Sequence, residues 1–513
     1  MGYFGLIWGS LVLAIVTSLW SQLVAHAWRP YWAARRLRKQ GVKGPKGNFW
    51  SGNEEEIKQM KMERREMILD IKSHDFLEKV QPDLAKWGSQ YGGIFMFWSG
   101  KKPKLHISDP ELAKQVLSNK FGFYRKIDVG PGIMALLGKG LVLAEGADWV
   151  RHRRVVSPAF TMDKLKTMTG TIADCAEAML TNWNEKKEVE VSLEFQELTA
   201  NAISHSVWKQ LCFRKGSFSG TERASNDHYY LFLQKTISFQ QVTKVSPLMD
   251  DTKANRSRRR LERKMRDTLM DIIERRLESK EAAYGEDLLG LMMQACMSGN
   301  TMTMDEIISE CKTFFFAGHE TTSHLLTWTI FLLSTHQEWQ QRLREEVLRE
   351  CGKETPDADK IGKLKLMTMV LFEVLRLYSP VMVLGRTAIK DVKLGSLVVP
   401  KDMDIIIPVA GIHHSKETWG ADANEFNPLR FENGVTKAAN HPNAMLAFST
   451  GPRACVGQSF AMLEAKIVLS MILQKFSFVL SPDYKHMPAD MLTLQPQRGL
   501  PILLQNLSAR ELL

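Results

Sequence analysis

Phe448-Ser-Thr-Gly451-Pro-Arg453-Ala-Cys455-Val-Gly457, followed by an unbroken helical pattern from Gln458 to about Leu473, decides the fold of this 513-residue chain. A single cysteine stands in a glycine-flanked loop, with a phenylalanine seven residues before it and an arginine two before. The loop opens onto a helix N-terminus, where the backbone dipole favours a thiolate over a thiol. A buried structural cysteine is the ordinary state of a free thiol and is the alternative reading.

The spacing F-x-x-G-x-R-x-C-x-G closely resembles the haem-binding loop of the cytochrome P-450 superfamily, with five matched positions in ten residues. The resemblance implies haem b as cofactor and Cys455 as axial ligand of its iron. Phe448, Gly451, Arg453 and Gly457 would shape the loop around that ligand, Arg453 holding a haem propionate.

Four further signals stand upstream in the family's order. A long helix starts near Thr303 and runs to about Thr335, opened by the capping box Thr303-Met-Asp-Glu306. Its middle, Phe314-Phe-Phe316-Ala317-Gly318-His319-Glu320-Thr321-Thr322, places a glycine where it costs about 1 kcal/mol against alanine. It resembles the family's oxygen-activation motif. Ala317 and Gly318 would leave room for dioxygen, and Glu320 and Thr321 would relay the protons that split it. Glu373-Val-Leu-Arg376 sets an acid and a base on one helix face and resembles the E-x-x-R helix. Phe426-Asn-Pro428-Leu-Arg430-Phe431 supplies the partner Arg430, although Leu429 stands where the family commonly has an acid. Glu373, Arg376 and Arg430 imply a structural charge network. Trp149 and Arg153, at i and i+4, would reach a haem propionate together. Arg386 is a weaker propionate candidate.

Composition sets the bounds. With 44% hydrophobic and 24% charged residues the chain is globular, and no segment reads as a linker that would cut its body. The expected class is mainly α with a small β portion, a single large domain in the cytochrome P-450 fold. Phe95–Trp98 with Lys104–Ile107, and Val392–Leu394 with Leu397–Pro400, are expected as strand pairs. The six cysteines show neither paired spacing nor C-x-x-C, which excludes a disulfide framework and a zinc site and suits a reducing compartment. The net charge of +11 gathers partly in Arg35–Lys39 and Arg256–Arg260, without interleaved aromatics. A membrane-facing or redox-partner-facing surface is expected, not nucleic-acid binding, and a plain solvated helix face explains the second cluster nearly as well.

From Met1 to Trp28 there is no Asp, Glu, Lys or Arg, and the positive charges follow the apolar run. Residues 1–28 read as a signal anchor, with the body held on the cytoplasmic side. Residues 29–53 read as a basic and Pro/Gly hinge, and 54–513 as the haem-thiolate monooxygenase domain. The expected address is the endoplasmic reticulum membrane, single-pass, with the catalytic domain on the cytosolic face.

The resemblance implies a monooxygenase that takes electrons from NADPH through a flavoprotein reductase and uses O2. A non-catalytic haem-binding membrane protein is a distant alternative, disfavoured by the intact Glu320-Thr321 pair. Pieces expected to line the pocket include the Pro131–Leu143 loop, and Phe316, Val381, Val383, Leu384 and Leu494 are the candidate substrate residues. All are apolar, so the substrate is expected to be a lipophilic small molecule. Gly138–Phe160, Ile412-His-His414 and Trp419–Pro428 resemble a plant clan holding cytokinin, brassinosteroid and gibberellin hydroxylases and terpenoid oxidases. Within that clan the chain looks most similar to grass enzymes hydroxylating fatty acids near, but not at, the methyl end.

Overall fold

Among the described residues, the longest helix is also the most enclosed, because apolar side chains surround it on nearly every face. The computed structural model describes residues 28–48, 50–119, 121–208, 253–278, 284–297 and 301–507, with scattered positions between 8 and 21. In chain order, α1 (Arg29–Lys39) lies outside the sheet, and α2 (Gly146–Val156), α3 (Met162–Thr181) and α4 (Val191–Trp208) lead towards the centre. The 32-residue α5 (Met304–Thr335) runs through the core, and α6 (Lys365–Leu377) and α7 (Gln458–Lys475) pack around it. The capping box at its start is present: Thr303 N–H donates to Glu306 Oε2 (2.8 Å) and Glu306 N–H to Thr303 Oγ1 (3.3 Å).

Close approach of α4 to α5 depends on Gly318. A Cβ at that position would stand 2.7 Å from Cδ1 of the buried Ile203 of α4. The glycine judged costly in sequence therefore admits a neighbouring helix, and packing offsets its propensity. Further along α5, Trp328 stacks on Tyr378 (ring centroids 4.3 Å apart) and Phe331 on His486 (4.6 Å), both in the core.

Among the described residues, strands are few and short. β1 (Ile94–Ser99), β2 (Lys102–Ile107), β3 (Tyr124–Lys126), β5 (Val383–Ala388) and β8 (Asp404–Pro408) form one sheet in the order β1-β2-β8-β5-β3, with β2 and β8 parallel. β4 (Glu188–Glu190), β12 (Pro501–Asn506) and β9 (Phe476–Leu480) form a second; β6 (Val392–Leu394) pairs with β7 (Leu397–Val399), and β10 (Pro488–Asp490) with β11 (Leu494–Pro496). Both strand pairs expected from sequence are found, Phe95 opposite His106 and Val392 opposite Val399.

The segment read as a stiff hinge is docked along much of its length. α1 buries Ala34 and Leu37, and Gln40 brackets Val398 through both its amide nitrogen (3.0 Å) and oxygen (2.7 Å). Lys43 O accepts from Met96 N–H (2.9 Å), and Asn53 exchanges backbone and side-chain bonds with Trp98 (2.9 Å each). These contacts cap the free edge of β1, which would otherwise expose unpaired backbone groups. Most of the expected anchor lies outside the described residues; among those described, no helix is long and apolar enough to cross a membrane.

Candidate active site

Cys455 sits at the base of a cavity of about 320 Å³ between α5, α2 and the loop before α7. Its loop is fixed from several directions. Cys455 N–H donates to Phe448 O (2.9 Å) and Ala454 N–H to Gly451 O (3.0 Å). Gly451 takes φ +76°, and a Cβ there would stand 2.6 Å from the backbone Cα of Ser118, so only glycine lets this turn seat against the helix Pro110–Leu117. Desolvation pushes the Cys455 thiol up, opposed by the Gly457 and Gln458 backbone N–H groups and by Arg153. Those opposing groups are the helix-mouth environment that the sequence suggested.

The cavity wall carries the motif residues unevenly. From α5 it takes Phe314, Ala317, Gly318, Thr321, Thr322 and Leu325, a stripe at helical spacing; Phe448, Arg453 and Gly457 come from the cysteine loop. Thr321 donates its hydroxyl to Ala317 O (2.7 Å). Glu320 does not reach the wall. It is buried behind α5, accepting from Thr493 Oγ1 (3.0 Å) with His324 and His319 beside it at 3.9 and 3.7 Å.

Val381 and Leu384 line the cavity, as expected; Phe316, Val383 and Leu494 do not. Phe316 packs with Leu136 and Leu137. Val383 alternates to the opposite face of β5, against the Trp87 and Phe95 cluster. Leu494 is fully buried, its carbonyl accepting from Trp328 Nε1–H (2.9 Å). From the Pro131–Leu143 segment, Leu141 and Val142 line the cavity.

One rim is cationic. Trp149 and Arg153 of α2 face the cavity one turn apart, Arg453 lies over the Trp149 ring (4.8 Å), and Arg153 donates to Ala454 O (3.2 Å). Lys126 of β3 joins them, with the buried Arg386 of β5 behind it and outside the cavity wall, and Glu145 pairs with Arg453 (2.8 Å). Burial, with Arg386 and Arg453 nearby, pushes Lys126 down to about 7; burial and Arg453 push Arg386 down to about 10. Cations held this way call for anionic partners. Gly457 adds a flat approach, since a Cβ there would meet only Phe160, at 3.9 Å, and otherwise project into the cavity. A thiol at the base, apolar walls and a cationic rim fit an iron porphyrin with its two propionates. Lys126 would join Trp149, Arg153 and Arg453 in holding them, whereas Arg386, the weaker propionate candidate, does not line the cavity. Lys126 carries no motif, and only strand pairing to Arg386 brings it here.

Beneath the loop, Arg376 donates to Glu373 through Nε (2.7 Å) and Nη2 (2.8 Å), and to the carbonyls of His413, Ala423 and Glu425. Arg430 approaches Glu373 at 3.6 Å and pairs with Asp422 at 2.8 Å. Asp422 supplies Arg430 with an acid that Leu429 cannot. On the other side, His152 Nδ1 meets Glu310 Oε1 (2.5 Å) and Arg151 pairs with Glu306 (2.6 Å), tying α2 to α5.

This arrangement fits a haem-thiolate protein. The chain belongs to the cytochrome P450 family, whose model matches residues 68–503. It is 48% identical to cytochrome P450 709B1 of Arabidopsis thaliana, over 97% of this chain and 98% of that protein. It is 36% identical to cytochrome P450 734A1 of the same plant (98% and 97% covered) and 37% to secologanin synthase 1 of Catharanthus roseus (97% and 98%). It is a monooxygenase with haem b, supplied with electrons by an NADPH-dependent reductase.

Proposed function

We propose that this monooxygenase hydroxylates a lipophilic small molecule, a fatty acid attacked near but not at its methyl end. The observation that carries this reading is the apolar wall over Cys455, formed by Leu141, Val142, Phe314, Leu325, Val381 and Leu384, with its fixed charges gathered on the haem-propionate rim. Bound haem supplies the activation of dioxygen, with Cys455 as the residue that holds it. The protein's share is position, dryness and protons. The apolar wall orients a chain and excludes water. Thr321 lines the cavity, and its hydroxyl, held here by Ala317 O, is the group that would meet a reactant there. Glu320, one residue earlier on α5 and held behind it by Thr493, is the carboxyl that would replace the proton Thr321 gives up once the Glu320 side chain turns towards the cavity.

A second reading is a plant hormone or terpenoid hydroxylase. It is supported by the similarity to secologanin synthase 1, whose name places a chain of this similarity on a different substrate. The endoplasmic reticulum address rests on the uncharged Met1–Trp28 run and on exposed Trp8, Leu11, Leu13, Val16 and Trp20. A panel of substrate-induced spectral shifts decides the substrate: medium- and long-chain fatty acids against cytokinins, gibberellins and brassinosteroids. Fatty acids should give the tightest shift and in-chain products by mass spectrometry. Tighter binding and turnover of a hormone would replace this reading with the second.

A further inference from the structure

We propose that Thr493 and His324 are positioning residues for Glu320, holding its carboxylate turned away from the cavity and governing its delivery of a proton to Thr321. The proposal rests on the reading of Glu320 and Thr321 as proton-handling groups.

Adjacent helical residues point about 100° apart. Thr321 therefore reaches the cavity while Glu320 enters the space between α5 and the turn joining β10 to β11. Thr493 lies on that turn, its Oγ1 3.0 Å from Glu320 Oε1 and 2.9 Å from Nδ1 of His324, one helical turn along α5. All three side chains are buried.

A hydroxyl carries one proton, so it can donate to only one of these neighbours at a time. With Glu320 ionised, Thr493 donates to the carboxylate and accepts from His324 Nδ1–H. With Glu320 protonated, the carboxyl donates to Thr493, whose hydroxyl turns to the bare Nδ1 of the His324 tautomer that carries its one proton on Nε2. The three groups thus form one hydrogen-bonded chain with two self-consistent directions, set by whether Glu320 holds its proton. Burial pushes His324 down to about 4 and lowers His319 as well, so the hydroxyl contact matters more than a full counter-charge at neutral pH.

The turn is built to bring Thr493 to this place. Leu492 takes φ +87°, a left-handed conformation that a non-glycine residue keeps only where its surroundings enforce it. Those surroundings are Trp328 Nε1–H donating to Leu494 O (2.9 Å) and Leu494 N–H donating to Pro380 O (3.0 Å). Pro380 and Val381 in turn wall the cavity. The residue that holds the acid is therefore tied to the cavity wall.

The test uses the full-length haem-loaded enzyme with its reductase, NADPH and dodecanoic acid. It reads the share of NADPH electrons released as hydrogen peroxide and the solvent deuterium isotope effect on kcat. Thr493→Val should raise the peroxide share by roughly two- to tenfold, the range one hydrogen bond commands. It should also enlarge the isotope effect and leave the spectral affinity for dodecanoic acid within about twofold, and Thr493→Ser should restore both. His324→Leu should move in the same direction. In a Glu320→Gln background, Thr493→Val should add nothing. If Glu320→Gln itself leaves the peroxide share unchanged, the proton-handling reading fails and the proposal with it. If Glu320→Gln raises it while Thr493→Val does not, the positioning role alone is overturned. An equal effect of Thr493→Val with and without Glu320 would overturn it too, by showing a wall residue.

Discussion

Replacing Glu373 by glutamine should do more damage than removing Arg430, although both belong to the same network beneath the cysteine loop. Glu373 and Arg376 are each fully buried, and Arg376 spends two N–H groups on the carboxylate and three contacts on backbone carbonyls. Glu373 Oε1 also accepts Asn427 N–H (2.9 Å), which ties α6 to the Phe426–Phe431 segment. Glutamine removes the charge and turns an NH2 donor towards donors, leaving the Arg376 cation buried without a counter-ion. Breaking a buried pair from one side costs about 3–5 kcal/mol, a large part of the ~5–15 kcal/mol that holds an ordinary domain folded. Arg430→Ala leaves Glu373 still held by Arg376, and it releases Asp422, whose side chain is 38% exposed and rehydrates. Its cost should be near ~1–3 kcal/mol, that of hydrogen bonds to a charged group. Replacing both Glu373 and Arg376 by leucine should not restore the protein, because the carbonyls of His413, Ala423 and Glu425 would lose their buried donor. The assay is urea denaturation of the haem-loaded protein followed at the Soret band, with haem content after purification. Arg430→Ala equal to or worse than Glu373→Gln, or Glu373→Gln within about 1 kcal/mol of wild type, would refute the reasoning.

Three other outcomes are expected. The Glu310 hydrogen bond holds His152 above its ordinary value of 6.5. A folded-state pKa raised this way gives stability in full below about 6.5 and loses it as pH rises through the raised value, so the gap in urea midpoint between wild type and His152→Gln should shrink on going alkaline; a gap that widens there contradicts the pairing. Thr321→Ala should keep haem and the substrate-induced shift yet divert electrons to peroxide, and full coupling of NADPH use to product would count against the hydroxyl's role. Deleting residues 1–28 should loosen membrane attachment in a carbonate wash while preserving the chromophore, since Ala34 and Leu37 begin the docked part of the chain; loss of the chromophore would move the boundary of the folded body.

The sequence carried the cysteine loop, the capping box of α5, the E-x-x-R pair and the Trp149–Arg153 pair, because each is local and its spacing alone puts the side chains together. The wall of the cavity was legible only in part. Phe314, Ala317 and Thr321 share one stripe of α5, whereas Phe316 sits two residues out of phase and meets Leu136 and Leu137 instead. The same reasoning separates Leu384 from Val383 on β5, where alternation decides which one faces inward. Glu320 and Thr321 were read as one unit, yet helical phase sends them to different spaces. The contacts made by Lys126, Ile203, Asp422 and Thr493 were invisible because strand pairing, helix crossing and turn placement bring their partners in from afar. The docked 29–53 segment escaped for a related reason: its glycines and prolines signal a break in helix, and nothing local tells that the break lies along a strand edge.

The central claim is that the Cys455 sulfur holds the haem iron, and one spectrum tests it most directly. In the reduced protein under carbon monoxide, wild type should show the far-red-shifted Soret band of thiolate ligation, and Cys455→Ser should lose that band and turnover together. A Cys455→Ser protein that retains both the band and monooxygenase activity would contradict the account.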